Sequence, residues 1–326
     1  MFTRFRGTAL SFLAISSLLV GCETGGTIID DGGDPPLPPG DARVLSGEVT
    51  QSETITGPIV LTADAVIKQG VEITVGAGSS IQGQAGVFLR IEGTLNIAGT
   101  AQAPVSITPL AGQNAVGGIS VDAGGSLSIT HATGQDIAVL VNCAAGALAC
   151  NLDNLQFTSV GKVLQTSGPS TLTNSEISDL QNGGITISAG ANVTITDTSV
   201  HTSSHDLIIM SGGTLVFDHS RVGNTDPNAT DHCGFHIGGA DQLTITNSVL
   251  DSSVVGMMIS GVKASTINYN NIALNGTDIQ KIGNSPAVVD LQFNYWDEGA
   301  PQDLPAGEFN VANPSATPYP DAGPRI

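Results

Sequence analysis

From about residue 45 onward, apolar and polar residues alternate in runs of four to six, interrupted by Gly, Asn, Asp and Ser. Alternation of period 2 predicts short strands, and no stretch keeps a 3.6-residue period long enough for a helix. The runs recur. TLTNSEI at 171, TITDTSV at 194, VFDHSRV at 216 and TITNSVL at 244 share one pattern, with Asn174, Asp197, His219 and Asn247 at the fourth position, 23, 22 and 28 residues apart. His131 and Phe157 upstream, and Tyr269 and Phe293 downstream, take the same place at looser spacing. A second register runs GGISV at 117, GGITI at 183, DLIIM at 206, CGFHI at 233 and VGMMI at 255. Each repeat of roughly 22 residues thus holds two or three strands joined by small polar bends.

Such a period predicts an all-β parallel solenoid, in which each coil stacks on the last at ~4.8 Å and equivalent side chains form ladders. Leucine-rich repeats need a Leu scaffold that is missing here. Ile195 is placed on the inward face, and Ser120, Thr186, Ile209, His236 and Met258 on the outward face of one sheet. His131 and His219 read as bend residues, as do Gly-rich stretches such as GGI and AGG, where φ > 0 is needed. From about 45 to 300, including VEITVGAGSSIQGQAG, LNIAGTAQAPVSITP and the closing FNYWD, the chain resembles the pectin-lyase-like superfamily. That resemblance implies a single-stranded right-handed parallel β-helix of ~22-residue coils.

The two ends read differently. Arg4 and Arg6 precede an uncharged run, Gly7 to Val20, with the layout of an export signal. The run closes in Leu19-Val20-Gly21-Cys22, which resembles the bacterial lipobox. The resemblance implies a signal peptide over 1–21, lipid on Cys22, and a protein anchored in the bacterial cell envelope, in the outer membrane and facing the periplasm or the surface. Residues 22–44, rich in Gly, Pro and Asp, have no pattern able to bury a core and read as a tether of at most about 60–70 Å. The solenoid is expected over 45–300 and a C-terminal tail over 301–326.

Charge narrows the partners. Ten Lys and Arg against 29 Asp and Glu give −19, and loss of Arg4 and Arg6 with the signal would make it −21. An acidic chain of this kind lacks the cations that neutralise nucleic-acid phosphates, so no nucleic acid is expected. It also repels polyuronates unless calcium bridges them. The membrane partner is expected through the lipid alone.

The remaining cysteines and one irregular coil carry the candidate chemistry. Cys143 and Cys150 bracket NCAAGALAC, a loop between two strands, and are a candidate disulfide in an oxidising compartment. Cys233 alternates with Phe235 and Ile237 and reads as a buried thiol. The 28-residue step between His219 and Asn247 contains the extra segment GNTDPNATDH. Aligning DLIIM with CGFHI sets His205 opposite His232 and Asp206 opposite Cys233, one coil apart. His205, Asp206, Asp226, Asp231, His232 and His236 are therefore the candidate ligand set, suited to a divalent metal or to proton transfer. His232 and His236, ~13 Å apart along an extended strand, are not expected to chelate one ion together.

The pectin-lyase-like resemblance implies a polysaccharide lyase with Asp clusters and a cationic base, or a hydrolase with paired aspartates, a Gly-His-Gly and an Arg-x-Lys segment. None of the three hydrolase features is in the sequence, and the cations Lys68, Arg90, Lys162, Arg221, Lys263 and Lys281 are dispersed along it. With no recognisable catalytic motif, the expectation is a surface scaffold or a module that binds polysaccharide or another envelope component. The alternative is a divergent carbohydrate-active enzyme using the expanded coil near 224–236.

Overall fold

The structure is a computed structural model that describes residues 42–225 and 232–325; Cys22, Asp226 and Asp231 lie outside the described residues. The described chain is all β, from Arg43–Val49 to Phe309–Asn310, with no helix. Each strand pairs in parallel with the strand one coil further on, giving about twelve turns of ~22 residues.

The inward ladders explain why these residues form strands. One runs Val75, Ile97, Ile129, Leu152, Leu172, Ile195, Phe217, Ile245 and Ile267, each paired with the next and each essentially inaccessible. Isolated coils have no core. An inward Ile or Leu is buried only because coils above and below cover it, and each such burial stabilises the stack by roughly 1.5–3 kcal/mol. Cys143 and Cys150 are joined by a disulfide inside this interior, Cys150 standing in a ladder between Leu127 and Ser170.

The bends form two columns of left-handed backbone. The first contains His131, Asn154, Asn174, Asp197, His219, Asn247, Tyr269 and Phe293, with φ between 43° and 63°. Asn154, rather than Phe157, occupies this place in its coil. Asn tolerates that conformation, whereas Phe157 continues the inward row of Ile177, Val200 and Val222 and is buried there. A second column follows five residues later: Asp136, Ser159, Asp179, Thr202, Ser252 and Leu274. Of the glycines, Gly118 has the most crowded requirement: at φ 123° its Cβ would stand 1.7 Å from the Val139 carbonyl oxygen.

A turn this sharp leaves an amide inside the wall, and the neighbouring coil satisfies it. Ser175, Thr198, Ser220, Ser248, Asn270 and Asn294, each one residue beyond the first column, are fully buried. Thr198 N–H donates to Ser220 Oγ at 3.2 Å, Ser220 N–H to Ser248 Oγ at 3.1 Å, Ser248 N–H to Asn270 Oδ1 at 2.9 Å and Asn270 N–H to Asn294 Oδ1 at 2.9 Å. The Ser248 hydroxyl then donates to its own coil at Thr246 O, 2.7 Å away. These buried polar groups are tolerated because the neighbouring coil supplies their partners.

Residues 308–312 stack on 289–293, and Tyr319 to Arg325 then run back along this bend wall. Tyr319 exchanges backbone hydrogen bonds with the Asn271 side chain at 2.8 and 2.9 Å, Gly323 N–H donates to Asn247 O at 2.8 Å, and Arg325 forms a two-pronged ion pair with Asp197 at 2.6 and 2.7 Å.

Candidate functional site

The 28-residue step leaves the stacking intact. Arg221 still pairs with Val249, and on the next face Ile208 pairs with Phe235 and Ile209 with His236. Followed back two residues, that register sets Asp206 opposite Cys233 and His205 opposite His232. The extra length falls between Arg221–Thr225 and Cys233–Gly239, and His232 immediately precedes the second of these strands.

Asp206 is the centre of what assembles there. It is buried, and its carboxylate is the shared neighbour of three imidazoles and one thiol. Oδ1 accepts the Cys233 backbone N–H at 2.9 Å and the Cys233 thiol at 3.1 Å; Oδ2 lies 3.0 Å from His236 Nδ1. His205 Nδ1 and His232 Nδ1 stand farther out, 3.8 Å from Oδ2 and Oδ1 respectively. The two rings approach each other with centroids 4.7 Å apart. His205 Nδ1 accepts the Asp206 backbone N–H at 2.8 Å, so this nitrogen carries a lone pair and no proton. His232 Nδ1 is buried without any hydrogen-bond partner, one of two such side-chain atoms among the described residues, the other being Trp296 Nε1.

His205, Asp206 and His232 have ligand atoms within 4.8 Å of one another, as do Asp206, Cys233 and His236. His232 and His236 belong to separate trios that share Asp206, in keeping with their separation along the strand. Cys233 is buried as its alternation indicates, but it is not merely an apolar filler. Burial, then the Asp206 charge and hydrogen bond, push its thiol well above the usual cysteine range, so it stays protonated and donates. The register pairing Asp206 with Cys233 was the available signal for that contact.

Two of the other histidines are paired with acids on the wall. His219 Nδ1 lies 2.8 Å from Asp218 Oδ2, and His201 Nε2 lies 2.6 Å from Glu176 Oε1. One perturbed carboxyl has no counterpart in the sequence reading. Burial, with Asp297 and Glu298 adding repulsion against a hydrogen bond from Asn275, pushes Asp278 up to about 6. Asp278 lies in Thr277–Lys281, where no polar motif marks it.

Residues 117–278 match the family model described as a right handed beta helix region. That span includes the whole cluster around Asp206. No curated protein and no solved structure matches the chain. The fold is therefore a right-handed β-helix.

Proposed function

We propose that the protein is a lipid-anchored component of the bacterial cell envelope, in which the β-helix acts as a scaffold whose flank binds glycan or another envelope component without transforming it. The observation that carries this reading is the outward row of the same sheet whose inner face bears the ladder of Ile195: Thr54, Thr74, Asn96, Ser128, Asn151, Thr171, Thr194, Val216, Thr244 and Thr266. Nine of these ten side chains carry a hydroxyl or amide, and all are at least partly accessible. Set on coils ~4.8 Å apart, they form a flat polar surface that suits the repeating hydroxyls of an extended neutral glycan. The acidic chain disfavours polyanions. The disulfide between Cys143 and Cys150 is in keeping with an oxidising compartment.

Glycosidic hydrolysis ordinarily uses two carboxyl groups about 5–9.5 Å apart. The cluster in the expanded coil offers one, Asp206, among the described residues.

Two measurements test the proposal. Wild type and Cys22→Ala are expressed in cells and fractionated; wild type is expected in the detergent phase and the variant in the soluble fraction. Equal release of both defeats the anchor. On an array of neutral and anionic polysaccharides, neutral chains are expected to bind and Thr171→Lys with Thr194→Lys to abolish binding. An empty array, or binding indifferent to both changes, defeats the polar flank as the binding surface.

A further inference from the structure

We propose that His205, Asp206 and His232 form a binding site for a divalent transition-metal ion of the zinc class. The donor set is two imidazole nitrogens and a carboxylate, the combination that suits zinc and its neighbours rather than calcium or magnesium, which prefer oxygen alone.

The spacing is close to what an ion requires. Bonds of 2.0–2.1 Å in a tetrahedral site put ligand atoms about 3.3 Å apart. Here His205 Nδ1 and His232 Nδ1 stand 3.8 Å from Oδ2 and Oδ1 of the carboxylate, and the ligand atoms of the three residues all lie within 4.8 Å of one another. These distances are too long for hydrogen bonds, so neither imidazole is using the carboxylate as a partner. Small movements of a half-exposed ring close the remaining gap.

The protonation state also fits. His205 Nδ1 is unprotonated, because it accepts the Asp206 N–H at 2.8 Å. Coordination exchanges that hydrogen bond for a bond to the ion. His232 Nδ1 has no partner to exchange: of the two orphaned buried side-chain atoms among the described residues, Trp296 Nε1 can only donate, whereas an imidazole nitrogen can offer a lone pair to a metal. Burying an unpaired polar atom is costly, and elsewhere along the wall coil-to-coil hydrogen bonds prevent it.

The carboxylate between them is already aimed. Cys233 N–H at 2.9 Å holds Oδ1 and His236 Nδ1 at 3.0 Å holds Oδ2, so both oxygens are fixed while His205 and His232 stand 3.8 Å away. Outer partners of this sort orient metal ligands and are a regular part of such sites. Three protein ligands leave the fourth position of a tetrahedral ion for water or a bound group. The inference does not depend on the envelope location or on glycan binding.

The test uses tag-free protein freed of metal by a chelator. Zinc is titrated by calorimetry, and the melting temperature is followed with zinc, calcium and magnesium. One equivalent of zinc is expected to bind and to raise the melting temperature, since a ligand held only by the folded state stabilises it, while calcium and magnesium do neither. His232→Ala and His205→Gln are each expected to weaken binding by at least about 100-fold. His131→Ala, in a distant bend, is expected to bind as wild type does. His205 is half exposed, so His205→Gln keeps the test open if His232→Ala fails to fold. Absence of one-to-one zinc binding, or binding that survives both substitutions, overturns the site. So does a thiolate-to-metal charge-transfer band in the cobalt form, which would transfer the ion to Cys233 and His236.

Discussion

Asp218 and Asp206 both stand beside histidines on the wall of the same solenoid, and they are treated in opposite ways. Asp218 receives Thr246 Oγ1 at 2.7 Å, Asn247 Nδ2 at 2.9 Å and His219 at 2.8 Å. Burial pushes its carboxyl up, but these hydrogen bonds more than offset it and hold it below the usual range. Asp153 repeats the arrangement with Thr173, Asn174 and Asn154. In both, the next coil supplies the donors, so the carboxylate belongs to the stacking. Asp206 faces Cys233, one firmly placed histidine and two that stop short of it. A polar residue whose needs are met by the repeat is part of the scaffold. One whose neighbours remain unmet is where the scaffold has been adapted.

The largest test of that contrast asks whether coils depend on each other as claimed. Ile195→Asp buries a carboxylate between Leu172 and Phe217 with no donor in reach, and is expected to cost several kcal/mol and to unfold neighbouring coils with its own. An unchanged melting temperature would break the ladder on which the comparison rests.

Next come the two aspartates themselves. Asp206→Ala strands the buried Cys233 N–H and is expected to destabilise by about 1–3 kcal/mol. Asp218→Ala frees donors that reach water at the partly exposed wall, and about 1 kcal/mol or less is expected. Chemical denaturation compares them directly, and equal losses would remove the distinction.

The smallest effect concerns a third carboxyl, Asp278, whose one hydrogen bond, from Asn275, does not offset its burial and the neighbouring acids. Its folded-state value of about 6 lies above the unfolded value of about 3.9, so its ionisation opposes folding. Stability from this group is complete below about pH 4 and falls as pH rises through 6. Asp278→Asn is expected to raise stability at pH 7.5 by about 1 kcal/mol, after allowance for solvent screening, and to make no difference near pH 4. A gain that persists at pH 4 would point to packing instead of charge.

Much of this was legible in the chain because a parallel stack repeats its requirements. Alternation marks the strands, and the Asn174, Asp197, His219 and Asn247 column marks one bend. Aligning DLIIM with CGFHI reproduces the pairing of Ile209 with His236 and hence the meeting of His205 with His232. The second bend column escaped notice because it is a property of the backbone: Asp136, Ser159, Asp179, Thr202, Ser252 and Leu274 share a positive φ and no side-chain type. Phe157 was misplaced because spacing cannot separate a bend from an inward position three residues away. Asp278 carries no pattern at all; its perturbation comes from burial and from acids that follow some twenty residues later.

The return path of the chain end alters how the stack comes apart. A coil that touches only the coils beside it opens from an end one rung at a time, like beads leaving a string. Arg325 grips Asp197, 128 residues earlier, with Gly323 held at Asn247 and Tyr319 at Asn271 on the way. That strap reaches across about three coil steps, or roughly 14 Å of axis. Fraying from the C-terminal end must release it first, and once it is released the rungs beneath lose a shared restraint together. The last third of the protein is therefore wired to open as one block, and slow amide exchange there should rise and fall in concert.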